Sequence, residues 1–365
     1  MKISMRFMAG NVVDDVLFFS AMQYNGLFRI NLSNGEISFV NSFIEVPLDK
    51  TVLHRLCLVY DRWLVFIPQN FNKIHLVNTD TLEQKTITVT DGSSNLMIAD
   101  AFIMENLLYI LPAKKTQPAL IIHMEDLKVE PIKAFNEWFG NEAPNSPNKN
   151  GVIVAKTALF NDSIYMGLYD QNRVLKYDLK SETIRLIDTD IEKIYRVYGG
   201  SDGIWITDHS SGKTELFNNS FEKYEKENNC TYGIILEQGE YVYAIPGDAP
   251  RIKIIKGNGA PREIEYPEEF KNLEQTRSKT YKFFGYTTYN EEIYLFPYIH
   301  DHMLVIHEDK LRVIRMEYEF DRTDPSSEQF MKILNARGKY LQSNGPVLEN
   351  STYDIDAYVE LVKSL

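Results

Sequence analysis

The sequence predicts an all-β fold made of seven copies of one four-stranded unit. The first observation is a short apolar and aromatic run that recurs through the chain, as in residues 63–68 (WLVFIP) and 107–112 (LLYILP). Its central positions are Phe18, Val65, Tyr109, Tyr165, Trp205, Tyr243 and Tyr294. The second observation is their spacing of 38 to 56 residues, which matches repeated four-stranded sheet units better than helical repeats.

Each copy has the same order of strands and turns. An apolar first strand such as residues 55–60 is followed by a polar turn such as 61–62, and the aromatic run is the second strand. A polar loop leads to a third strand such as residues 74–77. Fourth strands such as residues 311–315 (LRVIR) alternate apolar and charged side chains, which indicates one solvent-exposed face. The nearly all-apolar first two strands indicate burial on both faces.

This gradient from buried to half-exposed strands predicts a seven-bladed β-propeller of four-stranded antiparallel blades. A β-solenoid would need a shorter and stricter period, and a sandwich would not contain seven copies. Six or eight blades remain open, because terminal copies are atypical.

The repeated runs and residues 25–35 (NGLFRINLSNG) resemble the β-propeller superfamily, and in particular uncharacterised bacterial seven-bladed propeller proteins. The resemblance covers residues 2–316 and implies the fold alone, since a fold does not carry a function. The Gly-His and Trp-Asp pairs of WD40 repeats are absent, and kelch blades would repeat the double glycine that occurs once, at Gly199 and Gly200. Residues 201–205 are too compressed for the Asp box of sialidases. No functional family is resolved.

Composition excludes several classes of protein. The chain has 365 residues, with 39 Lys and Arg against 51 Asp and Glu, so its net charge is −12. This balance disfavours a nucleic-acid partner, which needs a basic surface. Cys57 and Cys230 are too few for a disulfide scaffold and fit a reducing compartment. The N-terminus does not read as a signal peptide and no apolar run approaches roughly 18 residues, so we expect a cytoplasmic protein without a membrane partner.

The strand pattern ends at residue 316. The sequence therefore predicts a propeller at residues 1–316 and a C-terminal helical appendage at residues 317–365. Residues 328–337 have helical spacing, and Gly338 is expected to end that helix.

A second amphipathic helix is expected at residues 355–363, after a capping signal at Ser351 and Asp354. Two interpretations are open for this appendage. It is either a partner-binding helix or, as we favour, a tail packed on the outside of the propeller.

One long connection, residues 134–150, joins the third copy to the fourth and carries Trp138 and Phe139 among polar residues. Loops of this length without secondary structure are often lids or binding loops. Trp138 is therefore a candidate ligand-binding residue on a lid or platform. Alternatively, it anchors the loop to the protein surface.

The predicted channel mouth collects cations, histidines and tyrosines in spite of the acidic composition. Propeller geometry places the loops between second and third strands on the same face as the starts of the innermost strands. Charged residues at strand starts are the strongest candidates for ligand binding, because burying an unpaired charge there is unfavourable in free energy. These residues are Arg55, Lys156, Arg196 and Lys282. The other candidate ligand-binding residues are His54, Lys73, Arg173, His209 and His300.

Two interpretations of this set stay open. Arginine binds carboxylate or phosphate bidentately and tyrosine faces stack on sugars or bases, so the residues could line a pocket for an anionic or polyhydroxylated ligand. Equally, loops are polar in any protein, and an acid such as Asp100 could pair with one of the cations structurally.

Catalytic signatures are missing: there is no Gly-x-Ser-x-Gly, Gly-rich phosphate loop, His-Glu-x-x-His or Cys-x-x-Cys. His300 and His302 could ligate a metal only with a third group from another blade. Two histidines are weak evidence, so neither a metal nor a cofactor is predicted.

The sequence favours a non-catalytic binding or scaffold propeller that recognises an anionic small molecule, a glycan or a peptide at the channel mouth. The alternative is a lyase or hydrolase acting on a carbohydrate or acidic metabolite, with a His/Tyr/Arg site at the same mouth. A third interpretation is protein–protein scaffolding through the Trp138 loop and the C-terminal helix.

Overall fold

The structure is a computed structural model that describes residues 1–69, 71–89, 96–143, 145, 151–208, 213–218, 223–229, 233–246, 251–257, 259–271 and 282–344. That description omits the side chains of residues 213, 223–229, 271 and 339–344. Its seven four-stranded antiparallel sheets are the blades of a seven-bladed β-propeller, which confirms the predicted fold class and the number of blades.

The first four sheets follow one another along the chain, and in each of them strands that are adjacent in the sequence are paired with one another. After β1 (Lys2–Ser4), sheet 1 contains β2 (Phe7–Val13), β3 (Val16–Ala21), β4 (Leu27–Asn31) and β5 (Ile37–Asn41). Sheet 2 contains β6 (His54–Tyr60), β7 (Trp63–Pro68), β8 (Lys73–Asn78) and β9 (Gln84–Thr88). Sheet 3 contains β10 (Ile98–Met104), β11 (Leu107–Pro112), β12 (Leu120–His123) and β13 (Val129–Pro131), and α1 (Lys133–Asn141) follows it. Sheet 4 contains β14 (Val154–Phe160), β15 (Ser163–Leu168), β16 (Arg173–Asp178) and β17 (Ile184–Asp188).

The remaining sheets repeat this order. Sheet 5 contains β18 (Ile194–Gly199), β19 (Ile204–Asp208), β20 (Lys213–Phe217) and β21 (Lys223–Asn229). Sheet 6 contains β22 (Ile234–Gln238), β23 (Tyr241–Ile245), β24 (Arg251–Lys256) and β25 (Arg262–Glu265), and α2 (Glu268–Lys271) follows it. Sheet 7 contains β26 (Phe283–Tyr289), β27 (Glu292–Pro297), β28 (His302–His307) and β29 (Lys310–Arg315). The chain continues through β30 (Glu317–Glu319), a 3-10 turn (Pro325–Ser327) and α3 (Glu328–Asn344).

A β-bulge interrupts the pairing of the first strand with the second in six of the seven sheets. The extra residues lie near the start of the first strand in every case. Four sheets have one unpaired extra residue each: Met8, Arg55, Ala99 and Tyr195. In the other two, two residues are opposite one, and these are Ala155 with Lys156 and Phe284 with Gly285. A bulge redirects the side chain of its extra residue, so these positions do not follow the in-and-out alternation of a regular strand.

Packing divides the chain into two compact units. Unit 1 comprises residues 1–94, 282–306 and 312–365, and it contains sheets 1 and 2 and most of sheet 7. Its core contains Phe7, whose ring centre lies 4.3 Å from that of Phe19. Unit 2 comprises residues 95–281 and 307–311 and contains sheets 3 to 6.

The C-terminal segment contributes to the core of unit 1. The strand β30 pairs antiparallel with β1. Phe330 of α3 packs its ring 5.6 Å from that of Phe28 and 5.3 Å from that of Tyr318. These contacts anchor the helix by its apolar face.

The predicted helix after residue 328 is present, but the expected end at Gly338 is wrong, because α3 continues to Asn344. A glycine inside a helix costs only about 1 kcal/mol, which does not by itself end a helix that is anchored elsewhere. The second predicted helix, residues 355–363 with its cap at Ser351 and Asp354, lies outside the described residues. The division of the chain at residue 316 stays a prediction.

Residues 133–141 form α1, so the expectation of a loop without secondary structure is wrong there. Phe135 and Phe139 are buried, and their ring centres lie 5.2 Å apart, since residues four apart share one face of a helix. Trp138 packs half-buried against the core of unit 2. Among the described residues, no helix combines the length and apolar character needed to cross a membrane.

Candidate functional site

The bulges of sheets 2 and 7 bring two side chains of unit 1 together. Arg55 is the extra residue of β6, and Phe284 with Gly285 is opposite the single residue Phe296 in the bulge of β26. The guanidinium carbon of Arg55 lies 5.3 Å from the centre of the Phe284 ring, which is a cation–π distance. Both residues are half-buried, so their contact is partly shielded from water.

Tyr298 packs against this contact, and two cations lie at neighbouring strand starts. The Tyr298 ring lies 5.3 Å from the Phe284 ring at an angle of 35°. The backbone N–H of Tyr298 donates to the carbonyl oxygen of Lys282 at 3.2 Å. Lys282 directly precedes β26 and Arg6 directly precedes β2, and β2 packs against both β6 and β26. We call Arg6, Arg55, Lys282, Phe284 and Tyr298 the strand-start cluster.

His300 lies beside the strand-start cluster and is only 5% exposed. Burial lowers its pKa from 6.5 to about 3, helped by the charges of His302 and Arg6 and opposed by Asp301 and the backbone of Lys282. His300 Nδ1 accepts a hydrogen bond from the backbone N–H of His302 at 3.1 Å. The imidazole is therefore neutral at neutral pH, and it could meet a ligand only as a hydrogen-bonding group.

His54 faces the core of unit 1 and not the strand-start cluster. It is 2% exposed, and its two ring nitrogens lie 2.7 Å from the Ser20 hydroxyl and 2.9 Å from His75 Nδ1. Burial, with a smaller contribution from His75, lowers the pKa of His54 well below 6.5. His54 is thus tied to the protein at both nitrogens.

Lys73 contacts the segment that connects β5 to β6. Its ammonium forms an ion pair with Glu45, and Glu45 also accepts a hydrogen bond from the Thr86 hydroxyl at 3.0 Å. These two hydrogen bonds lower the pKa of Glu45. Lys73 therefore has a structural partner, and its predicted role in ligand binding stays a prediction.

Two of the four cations predicted at strand starts lie in unit 2. The Lys156 ammonium lies 2.8 Å from Asp100 Oδ2, and the backbone N–H and hydroxyl of Thr157 donate to the same oxygen at 3.3 and 3.2 Å. The structural pair that the sequence left open for Asp100 is thus present.

Arg196 is 8% exposed. Its guanidinium carbon lies 4.9 Å from the centre of the Tyr195 ring, and Nη1 donates to the Tyr198 hydroxyl at 3.3 Å. The Tyr198 hydroxyl in turn donates to the carbonyl oxygen of Gly233 at 2.5 Å. Arg196 thus has buried contacts within unit 2.

The remaining predicted site residues lie apart from these groups. Arg173 is exposed and pairs with Asp188 at 2.9 Å, Trp138 is on α1, and His209 lies outside the described residues. Among the residues that the structure describes, no group of three or more His, Cys, Asp or Glu side chains is arranged to hold a metal ion. The structure therefore brings together Arg55 and Lys282 from the predicted set, with His300 beside them.

Sequence reasoning missed Arg6, Phe284 and Tyr298 in the strand-start cluster. One signal for Arg6 was present: a cation directly precedes phenylalanine both at Arg6 and at Lys282, and superposing the repeats would have matched the two positions. Phe284 gave no signal, because the bulge that redirects it leaves no pattern in the sequence.

The comparisons with known proteins identify the fold and no family. No protein-family model matches the chain, and no curated protein matches its sequence. The structure is similar to virginiamycin B lyase from Staphylococcus aureus, with a TM-score of 0.56 at 14% identity, over 88% of this chain and 99% of that chain. It is also similar to a streptogramin B lyase, with a TM-score of 0.58 at 11% identity, over 81% of this chain and 94% of that chain.

A third similar structure is PorZ, a surface component of the type-IX secretion system of Porphyromonas gingivalis. The TM-score is 0.58 at 11% identity, over 88% of this chain and 40% of that chain. At such identities the likeness shows a β-propeller fold and nothing about function.

Proposed function

We propose that this protein is a non-catalytic binding propeller whose strand-start cluster recognises a small anion, either free or as the acidic group of a glycan or peptide. The observation that carries the proposal is the Arg55 guanidinium 5.3 Å from the centre of the Phe284 ring. A guanidinium packed on a ring keeps its N–H donors in a defined orientation, which suits bidentate recognition of carboxylate or phosphate.

Lys282 and Arg6 support the same proposal by placing two further cations at neighbouring strand starts. The net charge of −12 repels anions at long range. At physiological salt, charges on the surface are largely screened beyond about 8 Å. An anion that reaches the strand-start cluster therefore responds mainly to the charges near it, and Lys282 and Arg6 add attraction there.

The test is a binding panel of glucose 6-phosphate, galacturonate, AMP and a tetraglutamate peptide, measured by thermal shift and calorimetry. We expect at least one compound to bind, and Arg55→Ala to weaken it by about ten- to a hundredfold, the range for a lost charge-assisted contact. Arg29→Ala is the matched control, because Arg29 is an exposed arginine of the same unit that bonds only to Ser38 among its described contacts. If Arg55→Ala and Lys282→Ala bind like the parent, the cluster is not the site.

The alternative function, a lyase or hydrolase, has one specific observation in its favour. His302 Nδ1 lies 2.8 Å from Asp301 Oδ1, and the Ser4 hydroxyl donates to Asp301 Oδ2 at 2.8 Å. A carboxylate close to an imidazole is one element of a general-base site.

This alternative predicts turnover of one panel compound, of an acidic polysaccharide or of quinupristin, which is bound to one of the similar lyases. Turnover followed by mass spectrometry should be lost in His302→Asn and kept in His123→Asn, which changes a partly exposed histidine paired with Glu130. Binding without turnover supports the first proposal over this one.

A further inference from the structure

Three buried side chains of unit 1 form a hydrogen-bond chain beside Arg55. The Ser20 hydroxyl lies 2.7 Å from His54 Nδ1, and His54 Nε2 lies 2.9 Å from His75 Nδ1. His75 Nε2 lies 3.0 Å from the carbonyl oxygen of Ile44. Ser20, His54 and His75 are 3%, 2% and 0% exposed, so water does not readily replace a lost partner.

The donor and the acceptor of each hydrogen bond in this series follow from its last member, the carbonyl oxygen of Ile44. A carbonyl oxygen only accepts, so His75 Nε2 donates to Ile44. Burial lowers the pKa of His75 to about 4, so its Nδ1 is unprotonated at neutral pH and accepts from His54 Nε2. Because His54 is also neutral, its Nδ1 accepts from the Ser20 hydroxyl. Both imidazoles thus use both nitrogens.

The order serine–histidine–histidine is that of a nucleophile, a base and an orienting group. Ser20 is nevertheless 3% exposed, and burial makes His54 a weak base. A substrate carbonyl could not reach the hydroxyl, and the imidazole would not hold its proton. These three hydrogen-bonded side chains therefore fit a structural role better than nucleophilic catalysis.

His54 directly precedes the bulge that redirects Arg55. In the pairing of β6 with β7, His54 is opposite Pro68 and Leu56 is opposite Ile67, so Arg55 is the extra residue between them. Moving the bulge by one residue would reverse the face of His54 and take it out of the core. Both hydrogen bonds of His54 would then break, so they favour the register in which Arg55 is the redirected residue.

Sheet 2 differs from the other bulged sheets at this position. The residue before the bulge is apolar and buried in the others: Phe7, Ile98, Val154, Ile194 and Phe283. An apolar side chain at this position contributes packing but no hydrogen bond. A histidine adds two directional hydrogen bonds, and these constrain the orientation of the strand start more narrowly than packing does.

We propose that His54 is a positioning residue: held by Ser20 and His75, it fixes the bulge that sets the Arg55 guanidinium on the Phe284 ring. The inference rests on the proposed function, in which Arg55 contacts the anion, and it names the device that orients Arg55 before binding. Such preorganisation raises affinity, because less conformational freedom is lost when the ligand binds.

Two substitutions of His75 separate its two hydrogen bonds. In His75→Asn the side-chain oxygen replaces Nδ1 and can accept from His54, whereas the bond to Ile44 is lost. In His75→Gln the side-chain amide nitrogen replaces Nε2 and can donate to Ile44, whereas His54 loses its acceptor. Each variant breaks a different one of the two hydrogen bonds of His75, and both retain a polar side chain of similar length.

The readout is the Nε–H resonance of Arg55 in an NMR spectrum of the full chain without ligand. Its ring-current shift from Phe284 reports their contact, and the resonance is assigned by its loss in Arg55→Lys. We expect the shift to be retained in His75→Asn and lost in His75→Gln, while the Arg29 resonance stays unchanged in both. Affinity for AMP, galacturonate or glucose 6-phosphate should fall at least about tenfold in His75→Gln alone.

Retention of the shift in His75→Gln overturns the positioning role. Loss in both variants also overturns it, because the effect would then come from the contact with Ile44. If the shift is lost in His75→Gln alone but the parent protein binds no anion, the positioning role is supported and the proposed function is refuted. The two failures are therefore distinguishable. If His75→Gln does not fold, Ser20→Ala provides the same test: a reduced shift supports the role of His54, and an unchanged shift overturns it.

Discussion

Arg55 belongs to sheet 2 and Phe284 to sheet 7, yet the guanidinium carbon of Arg55 lies 5.3 Å from the centre of the Phe284 ring. Each side chain is redirected by a bulge. The strand β2 of sheet 1 packs against both strands that carry them. The contact therefore depends on how closely β26 and β6 approach β2.

Gly285 controls the approach of β26 to β2. A Cβ at this position would lie 2.9 Å from Phe296 Cδ2 and well inside van der Waals contact with the carbonyl oxygen of Met8. We expect Gly285→Ala to displace β26, to lower the free energy of unfolding by about 1–3 kcal/mol and to weaken anion binding. Urea unfolding and calorimetry measure the two effects.

The control is Gly140→Ala in α1, where an added Cβ meets no atom within 4 Å. This change should be neutral or stabilising by up to about 1 kcal/mol, since alanine favours the helix. A Gly285→Ala variant that is as stable as Gly140→Ala would show that β26 can move without cost.

The free energy of unfolding should fall in mild acid because His54, His75 and His300 are buried as neutral imidazoles. His75 and His300 stay neutral in the folded chain down to about pH 4 and about pH 3, whereas the unfolded chain takes up protons near pH 6.5. Stability is therefore full above pH 6.5 and declines as the pH falls through 6.5 toward these values. Between pH 7 and pH 5 each histidine contributes a loss of about 2 kcal/mol.

Urea unfolding of the parent and of His300→Gln at pH 7 and pH 5 measures this loss. The variant should lose about 2 kcal/mol less than the parent over the interval, because it lacks one of the protonating groups. His123→Gln, which changes a histidine whose side chain is 39% exposed, is the control for the loss of a histidine as such. Identical pH dependence in His300→Gln would contradict the assignment of a buried neutral imidazole.

The fold was predictable because it is encoded locally. Short apolar strands and polar turns recur, as in residues 63–68 and 107–112, and each hairpin pairs strands adjacent in the sequence. The polar strand β21 and the short strands β13 and β25 lacked such a pattern and were missed. In α1, the polar residues around Phe135 and Phe139 concealed a helix whose two apolar side chains lie four positions apart.

The candidate site was only partly predictable. Arg55 and Lys282 could be identified as charges at strand starts, but their surroundings depend on contacts between distant parts of the chain. Phe284 reaches Arg55 through two bulges, and Asp100 reaches Lys156 across two sheets. No local pattern distinguishes a cation held by a ring from one held by a carboxylate.

The turns between third and fourth strands offer a matched pair of substitutions. Gly35 and Glu182 occupy equivalent positions with φ of 75° and 53°, and no atom lies within 4 Å of a Cβ added at Gly35. The left-handed conformation costs a non-glycine residue about 1–2 kcal/mol, partly offset by the greater freedom of unfolded glycine. We expect Glu182→Gly to raise the free energy of unfolding by about 0.5–1 kcal/mol and Gly35→Ala to lower it by a similar amount, measured by urea unfolding. Shifts of the same sign would contradict this account.

Lys156 can be tested for a structural role against a ligand-binding role. The Asp100 side chain is 7% exposed and that of Lys156 is 27% exposed. Lys156→Met therefore leaves a nearly buried carboxylate that keeps its hydrogen bonds from Thr157 and from the backbone N–H of Ala101 but has lost its counter-charge. We expect a loss of about 2–4 kcal/mol in the free energy of unfolding, somewhat below the range for a fully buried pair because the ammonium is partly hydrated. Lys180→Met, which breaks the exposed pair with Asp162, should change the free energy of unfolding far less, because solvent screens an exposed pair.

Adding Asp100→Asn to Lys156→Met separates the two roles, because the amide removes the buried charge and can keep a bond to Thr157. A structural Lys156 predicts that most of the lost stability returns and that the affinity for the anion panel matches that of the parent. A ligand-binding Lys156 predicts that stability returns while affinity stays reduced. Calorimetry on the double variant therefore decides whether Lys156 binds ligand or only forms the ion pair that holds β10 to β14.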